Sequence, residues 1–192
     1  IITAAVLKLY PIPRDKQTAF CAIRDADAAL ELLARARAVS DDKVTAFEWI
    51  ARIGIDFVLR HIPGTRDPLA GEHNEYLLME LTSGHVEGGL RETLEEILAD
   101  AMESGLVLDA TIAESRAQAA DFWRLRETLP EAQPLEGTGI KHDVSVPVSR
   151  VPDFLREAGG ALRDAGAGHP HLRLRPHGRR QSPLQSVPAR GW

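Results

Sequence analysis

The segment Phe122–Glu127 places two aromatic residues and two arginines within two turns of a predicted helix. Arg126 follows Phe122 by four residues and Trp123 by three, so a helix puts it on part of an aromatic face. A guanidinium in such surroundings is partly desolvated, and its planar fork suits a carboxylate. The pattern therefore indicates an anion-binding arginine. The alternative is a surface arginine whose stem covers the edge of the core.

A second segment with chemical potential is a predicted strand at Ile140–Val146. Alternate side chains of a strand share a face, which places three polar residues together: Lys141, Asp143 and Ser145. We expect the apolar face to be packed and the polar face to be open to a small anion. The alternative is an ordinary solvated face. His142 lies among apolar residues, so a core position is expected rather than a role as a base.

Most other chemistries have no recognisable signature in this chain. The sequence contains no HExxH, no paired CxxC, no Walker A and no GxSxG motif. We therefore identify no catalytic residue and no metal ligand. Cys21 is the single cysteine, which excludes an internal disulfide and favours a reducing compartment, the cytoplasm.

Strand-like and helix-like patterns alternate along the 192 residues, which suffice for one ordinary domain or two small ones. Strands are predicted at 17–23, 76–81, 106–111 and 140–146, and helices at 25–40, 45–60, 90–104, 113–129 and 149–164. Asp25 or Asp27 is expected to cap the first helix. The order predicts an α+β fold of ferredoxin-like type, with an antiparallel sheet, helices on one face, and an incomplete C-terminus.

Charge is distributed unevenly. Residues 169–192 hold five arginines and no acidic residue, whereas the preceding part holds 18 basic and 28 acidic residues, a net charge of −10. Such a body argues against nucleic-acid binding, because the phosphate backbone attracts basic surfaces. No apolar run approaches the roughly 20 residues that a membrane span needs.

Four segments, in order, resemble the C-terminal part of FAD-linked oxidases of the vanillyl-alcohol-oxidase type, with D-lactate, glycolate and D-2-hydroxyglutarate dehydrogenases as the nearest group. They are Ile1–Leu9, Ala46–Glu48, Phe122–Glu127 and Lys141–Pro147. The resemblance covers residues 1–165. The last two motifs taken together are fairly specific, whereas either one alone is weak.

The resemblance implies a division of the chain. Residues 1–13 look like the last strand of an FAD-binding domain, whose bulk would precede residue 1, and a linker. Residues 14–167 look like the substrate-binding cap domain. In the 2-hydroxy-acid members, the arginine matching Arg126 and the lysine matching Lys141 contact the substrate carboxylate, and FAD takes a hydride from the carbon that bears the hydroxyl.

Many family members next carry a Gly-His-x-Gly-Asp-Gly-Asn-x-His segment whose histidines hold a divalent metal, but residues 174–186 do not match it. A typical segment of the family reads Phe-Gly-His-Met-Gly-Asp-Gly-Asn-Leu-His-Tyr-Asn. When codons for this segment are read out of frame, starting one base upstream, they translate into Leu174–Ser186 without a mismatch. We therefore interpret residues 168–192 as a frameshifted, non-native tail. The expected ligand positions read Pro176 and Ser182-Pro183, so the metal ligands of the intact parent are lost here.

The sequence thus predicts a fragment of an FAD-dependent enzyme that oxidises a small D-2-hydroxy acid, inactive by itself. The alternative is a stand-alone α+β module that binds a small molecule without catalysis. Expected partners are the hydroxy acid and a second copy in a homodimer. Neither nucleic acid nor a membrane span is expected, and the electron acceptor is not assigned.

Overall fold

The computed structural model describes residues 3–6, 12–85, 89–137 and 144–165. Its strands are β1 (Asp15–Ile23), β2 (Val44–Ala51), β3 (Glu75–Ser83) and β4 (Val107–Ile112). Its helices are α1 (Ala26–Val39), α2 (Arg52–His61), α3 (Leu90–Glu103), α4 (Arg116–Glu127), α5 (Leu129–Ala132) and α6 (Val151–Ala165). Two short 3-10 turns lie at Gln133–Glu136 and Val148–Arg150.

The four strands form one antiparallel sheet in the order β2-β3-β1-β4. Cys21 in the middle of the sheet lies opposite Leu77 on one side and Ala110 on the other. Together with α1 and α3, this order is the ferredoxin-like β-α-β-β-α-β arrangement, with α2 added between β2 and β3. The predicted α+β class and the antiparallel sheet are confirmed.

The sheet separates two layers of core. Alternate strand residues such as Ala19, Leu77 and Met79 face a first core, which α1, α3 and the start of α6 cover. The intervening residues, among them Phe20 and Leu78, face a second core, which α2, α4 and α5 cover. Helices therefore lie on both faces, which differs from the expectation of one covered face. The reason is that β1 and β3 are apolar at successive positions, and both of their faces must be buried.

The prediction of one helix over residues 45–60 was wrong. The chain forms β2 first and turns into α2 at Ala51, whose backbone is extended with φ −73° and ψ 148°. The first half of this stretch is rich in β-branched and aromatic residues, which fit a pleated sheet. Strand pairing with β3 decides the outcome, because it buries both faces of β2.

The remaining described helices and strands lie close to their predicted positions. Asp25 caps α1, since its Oδ1 accepts a hydrogen bond from the Ala28 N–H at 2.8 Å. Helix α4 begins later than expected, after the Ser115 cap, and the chain remains helical through Pro130 in the short α5. Proline is tolerated there because it occupies the first turn, where its missing N–H costs no helical bond.

Three predictions fall wholly or partly outside the described residues. Only residues 3–6 of the strand expected at 1–9 are described, and they are not in a strand. Residues 144–146 are likewise not in a strand, although Val146 packs against the first core. Lys141, Asp143 and His142 lie outside the described residues, as does the tail from residue 168, so the frameshift stays a prediction. Within the described part, no helix is both long and apolar enough to cross a membrane.

Candidate functional site

Two buried glutamates lie on the sheet face that borders the second core. Glu48 on β2 and Glu80 on β3 are each 6% exposed. Glu48 pairs with Leu78 and Ala46 pairs with Glu80, so the two carboxylates are diagonal neighbours on one face. Burying two carboxylates is costly unless each has a charged or hydrogen-bonding partner. Helix α4 and strand β1 supply those partners.

Arg126 is the partner of Glu48. Its Nε donates a hydrogen bond to Glu48 Oε2 at 2.9 Å, and the two side chains are 15% and 8% exposed. Phe122 and Leu125 anchor α4 in the second core, which turns the Arg126 side of the helix toward the sheet. Among the described residues, Glu48 is the one that accepts a hydrogen bond from this guanidinium.

Glu80 has three partners. Its Oε2 accepts hydrogen bonds from Thr18 Oγ1 at 3.1 Å and from Trp123 Nε1 at 2.8 Å. Its Oε1 lies 3.1 Å from Lys16 Nζ, whose side chain is 55% exposed. We call this set the Glu48–Glu80 cluster, and it comprises six residues: Lys16, Thr18, Glu48, Glu80, Trp123 and Arg126.

The cluster holds two carboxylates and two cations, so it is close to neutral. Arg126 Nε is engaged by Glu48, and no described residue accepts a hydrogen bond from the edge of the guanidinium formed by Nη1 and Nη2. That edge can give two parallel hydrogen bonds to a carboxylate. Lys141, the second residue expected to bind the anion, lies outside the described residues, so its pairing with Arg126 stays a prediction.

Sequence reasoning singled out Arg126 but missed the two glutamates that surround it. Glu48 lies in the segment 45–60, for which the sequence predicts a helix, whereas the structure places it on β2. Glu80 is the one acidic residue of the predicted strand 76–81. The available signal was a lone carboxylate inside each of two apolar strands, since a buried acid needs a buried partner.

A second polar network lies at the other end of the same sheet face. Arg52 Nη1 donates to Tyr76 Oη at 2.6 Å and to Asp67 Oδ2 at 2.9 Å, and Arg52 Nε donates to Asp56 Oδ1 at 2.7 Å. His73 N–H donates to the same tyrosine oxygen at 3.2 Å. These contacts fasten the loop between α2 and β3, so we assign the network a structural role.

A cavity of about 280 Å³ lies on the solvent side of α4. The loop residues 64–68 line one wall, and Gln118, Asp121, Phe122 and Arg124 line the other. Arg124 Nη2 donates to the Pro63 carbonyl at 2.8 Å and so braces the loop against the helix. Arg126, the predicted site residue that the structure describes, is not among the residues that line this cavity.

Glu75, at the start of β3, has an unusual environment. Burial raises the pKa of this carboxyl from 4.5 to about 7, and the indole N–H of Trp49 opposes the rise. No hydrogen bond of ordinary geometry joins them, because Trp49 Nε1 and Glu75 Oε2 have no partner among the described residues. Burial also raises the pKa of the Cys21 thiol to about 12, so the thiol stays protonated at neutral pH.

Metal-ligating side chains do not gather in the described part of the chain. There, no group of three or more His, Cys, Asp or Glu residues is placed to hold a metal ion. His169, His171 and His177 of the tail lie outside the described residues.

Comparison with curated proteins gives a consistent group of relatives. A D-2-hydroxyglutarate dehydrogenase, mitochondrial, of Arabidopsis thaliana is 34% identical over 174 residues, covering 90% of this chain and 31% of the relative. A D-2-hydroxyglutarate dehydrogenase of Xanthomonas citri pv. viticola is 33% identical over 165 residues, covering 86% of this chain and 34% of the relative. A mitochondrial D-2-hydroxyglutarate dehydrogenase of Rattus norvegicus is 30% identical over 175 residues.

The chain thus spans about a third of the length of the curated relatives it matches. The family model for the C-terminal domain of FAD linked oxidases matches residues 12–175, which include both buried glutamates and Arg126. With that match over most of its length, this chain belongs to the family of FAD linked oxidase C-terminal domains.

Proposed function

We propose that this chain is the substrate-binding part of an FAD-dependent oxidoreductase that oxidises a small D-2-hydroxy acid. The observation that carries the proposal is the half-buried Arg126, held at Nε by the buried Glu48. An arginine fixed in this way is suited to grip the carboxylate that every 2-hydroxy acid carries. The names of the relatives support the D-2-hydroxyglutarate class.

FAD supplies the hydride acceptor when it is bound. The described residues do not fit that cofactor by themselves, because the cavity beside α4, about 280 Å³, is small even for a drug-sized ligand. We therefore assign the flavin to the rest of the protein and derive no step through it. Arg126 orients the substrate by its carboxylate, and the aromatic face around it excludes water from one side of that contact.

The proposal includes a second carboxylate contact from Lys141, association into a homodimer, and action in a reducing compartment such as the cytoplasm. It also includes a divalent metal in the intact parent, and it derives no step through that metal, since no group of three or more His, Cys, Asp or Glu among the described residues is placed to hold one. Light scattering on the full-length protein would measure its molar mass and so show whether it is a dimer.

The test is anaerobic bleaching of the flavin absorption band in the full-length protein. D-2-hydroxyglutarate, D-lactate and glycolate would be added separately, with the L-enantiomers of the first two as matched controls. We expect at least one D-acid or glycolate to bleach the flavin, and the L-acids to leave it oxidised. A non-catalytic binding module would bind these acids without bleaching, and that result would refute the proposed function.

A further inference from the structure

Glu48 does not touch the substrate in the function proposed above, but it is the charged partner that the described residues give Arg126. Its side chain is 8% exposed, and it lies on β2 at the register position opposite Leu78. Both β2 and the helix that carries Arg126 pack on the second core. The distance between the two charges is therefore set by the fold rather than by the surface rotamers of either residue.

We propose that Glu48 is a positioning residue for the substrate carboxylate: it holds Arg126 at Nε so that the Nη1–Nη2 edge is presented to the substrate. This inference rests on the proposed function. A guanidinium held by one nitrogen keeps its plane while the opposite edge stays available for two parallel hydrogen bonds. Glu48 would therefore act on substrate affinity through Arg126, without touching the substrate.

The neighbouring carboxylate explains why Glu48 is needed for this task. Glu80 lies on the same sheet face, but Thr18 and Trp123 donate to one of its oxygens and Lys16 contacts the other. Trp123 and Arg126 lie about one turn apart on α4. Glu80 binds the Trp123 side chain, and Glu48 binds the Arg126 side chain. Without Glu48, Glu80 is the buried carboxylate that remains on this sheet face, and the Arg126 guanidinium loses the partner that fixes its orientation.

Three substitutions at one position separate positioning from simple charge balance. Glu48→Gln keeps the length of the side chain and an oxygen that accepts from Nε, but removes the charge. Glu48→Asp keeps the charge and shortens the reach by one methylene. Glu48→Ala removes both. Glu127→Gln is the matched control, because Glu127 is exposed on the same helix.

The measurement is KM and kcat for the 2-hydroxy acid that bleaches the flavin, in the full-length FAD-containing protein. Flavin content and near-UV circular dichroism confirm that each variant is folded. We expect KM to rise about tenfold or more in Glu48→Asp and Glu48→Ala and less than about threefold in Glu48→Gln, with kcat changed less than KM. The control variant should match the wild type.

Two results would overturn the inference while the proposed function stands. One is an active enzyme whose KM is unchanged in all folded Glu48 variants although Arg126→Ala raises it. The other is a severe defect in Glu48→Gln with a mild one in Glu48→Asp, since that order shows charge balance rather than placement. If Glu48→Ala does not fold, the Gln and Asp variants decide between these outcomes. Failure of the wild type to bleach with any hydroxy acid would instead refute the proposed function.

Discussion

At the scale of single residues, Arg126 is the side chain on which substrate binding depends most directly. Loss of a partly buried, charge-assisted contact typically costs about 2–5 kcal/mol. We therefore expect Arg126→Ala to lower kcat/KM of the full-length enzyme at least about thirtyfold. Steady-state kinetics with Arg124→Ala as the control test this, because Arg124 lies on the solvent side of the same helix and contacts Pro63. Equal kinetics for both variants would remove Arg126 from the site.

Glu75 makes the stability of the domain depend on pH. Burial raises its pKa to about 7, whereas an unfolded glutamate titrates near 4.5. The folded state therefore holds this proton more tightly, and the stabilisation is present below about pH 4.5 and lost as pH rises through about 7. Glu75→Gln should match the wild type at low pH and be more stable at pH above 8 by about 2–4 kcal/mol.

Urea denaturation at both pH values measures this difference. Glu72→Gln is a suitable control, because the Glu72 side chain is 90% exposed and belongs to the same loop region. A Glu75→Gln variant that gains no stability between acid and alkaline pH would contradict the shifted pKa.

At the scale of elements, the start of α1 depends on one carboxylate. The Ala28 N–H lowers the pKa of Asp25 by donating to it, with a further contribution from Arg24. Asp25→Ala should destabilise the domain by about 1 kcal/mol, and Asp25→Ser, which keeps a capping oxygen, by less. Because a lowered pKa stabilises the fold above the unfolded value, the Asp25→Ala deficit should shrink as pH falls into the acid range. Chemical denaturation at neutral and acid pH would show whether it does.

The elements that sequence predicted well are those whose pattern is locally unambiguous. Helix α1 has a capping aspartate and a long segment rich in alanine and leucine, and α3 has a clear apolar stripe that ends before Gly105. β2 was missed because its apolar positions also fit a helical period, and only pairing with β3 distinguishes the two. The composition of this segment favours a strand, but its pairing partner is distant in sequence, so no local pattern shows that β3 is there to pair with it.

The residues of the candidate site also differ in whether the sequence alone could reveal them. Arg126 could be identified locally, because its aromatic neighbours lie on the same helix. Glu48 and Glu80 could not be placed beside it, because that contact joins three elements and depends on the strand register. A local pattern can show that a buried charge needs a partner, but only the tertiary fold shows which partner it has.

At the scale of the whole molecule, the chain covers 31% of the Arabidopsis relative and matches a C-terminal domain family. We expect the 192-residue chain, purified alone, to bind no FAD and to show no flavin absorption band in the visible range. An absorption spectrum before and after incubation with FAD and desalting measures this, with the full-length protein as the positive control. A stoichiometric flavin band in the isolated chain would assign the cofactor site to these residues.

The order of the strands has a consequence for the chain as it leaves the ribosome. Glu48 and Glu80 are synthesised well before Arg126 and Trp123, so a nascent chain that ends at β3 carries both carboxylates with only Lys16 and Thr18 to compensate them. Two negative charges on one sheet face favour water there over an apolar cover. The helices α1 and α3, which cover most of the first core, precede α4 in the chain, so they can pack on the opposite face before α4 is synthesised. Synthesis of α4 then supplies the partners of both carboxylates, Arg126 for Glu48 and Trp123 for Glu80, so the second core cannot be completed before this helix has left the ribosome.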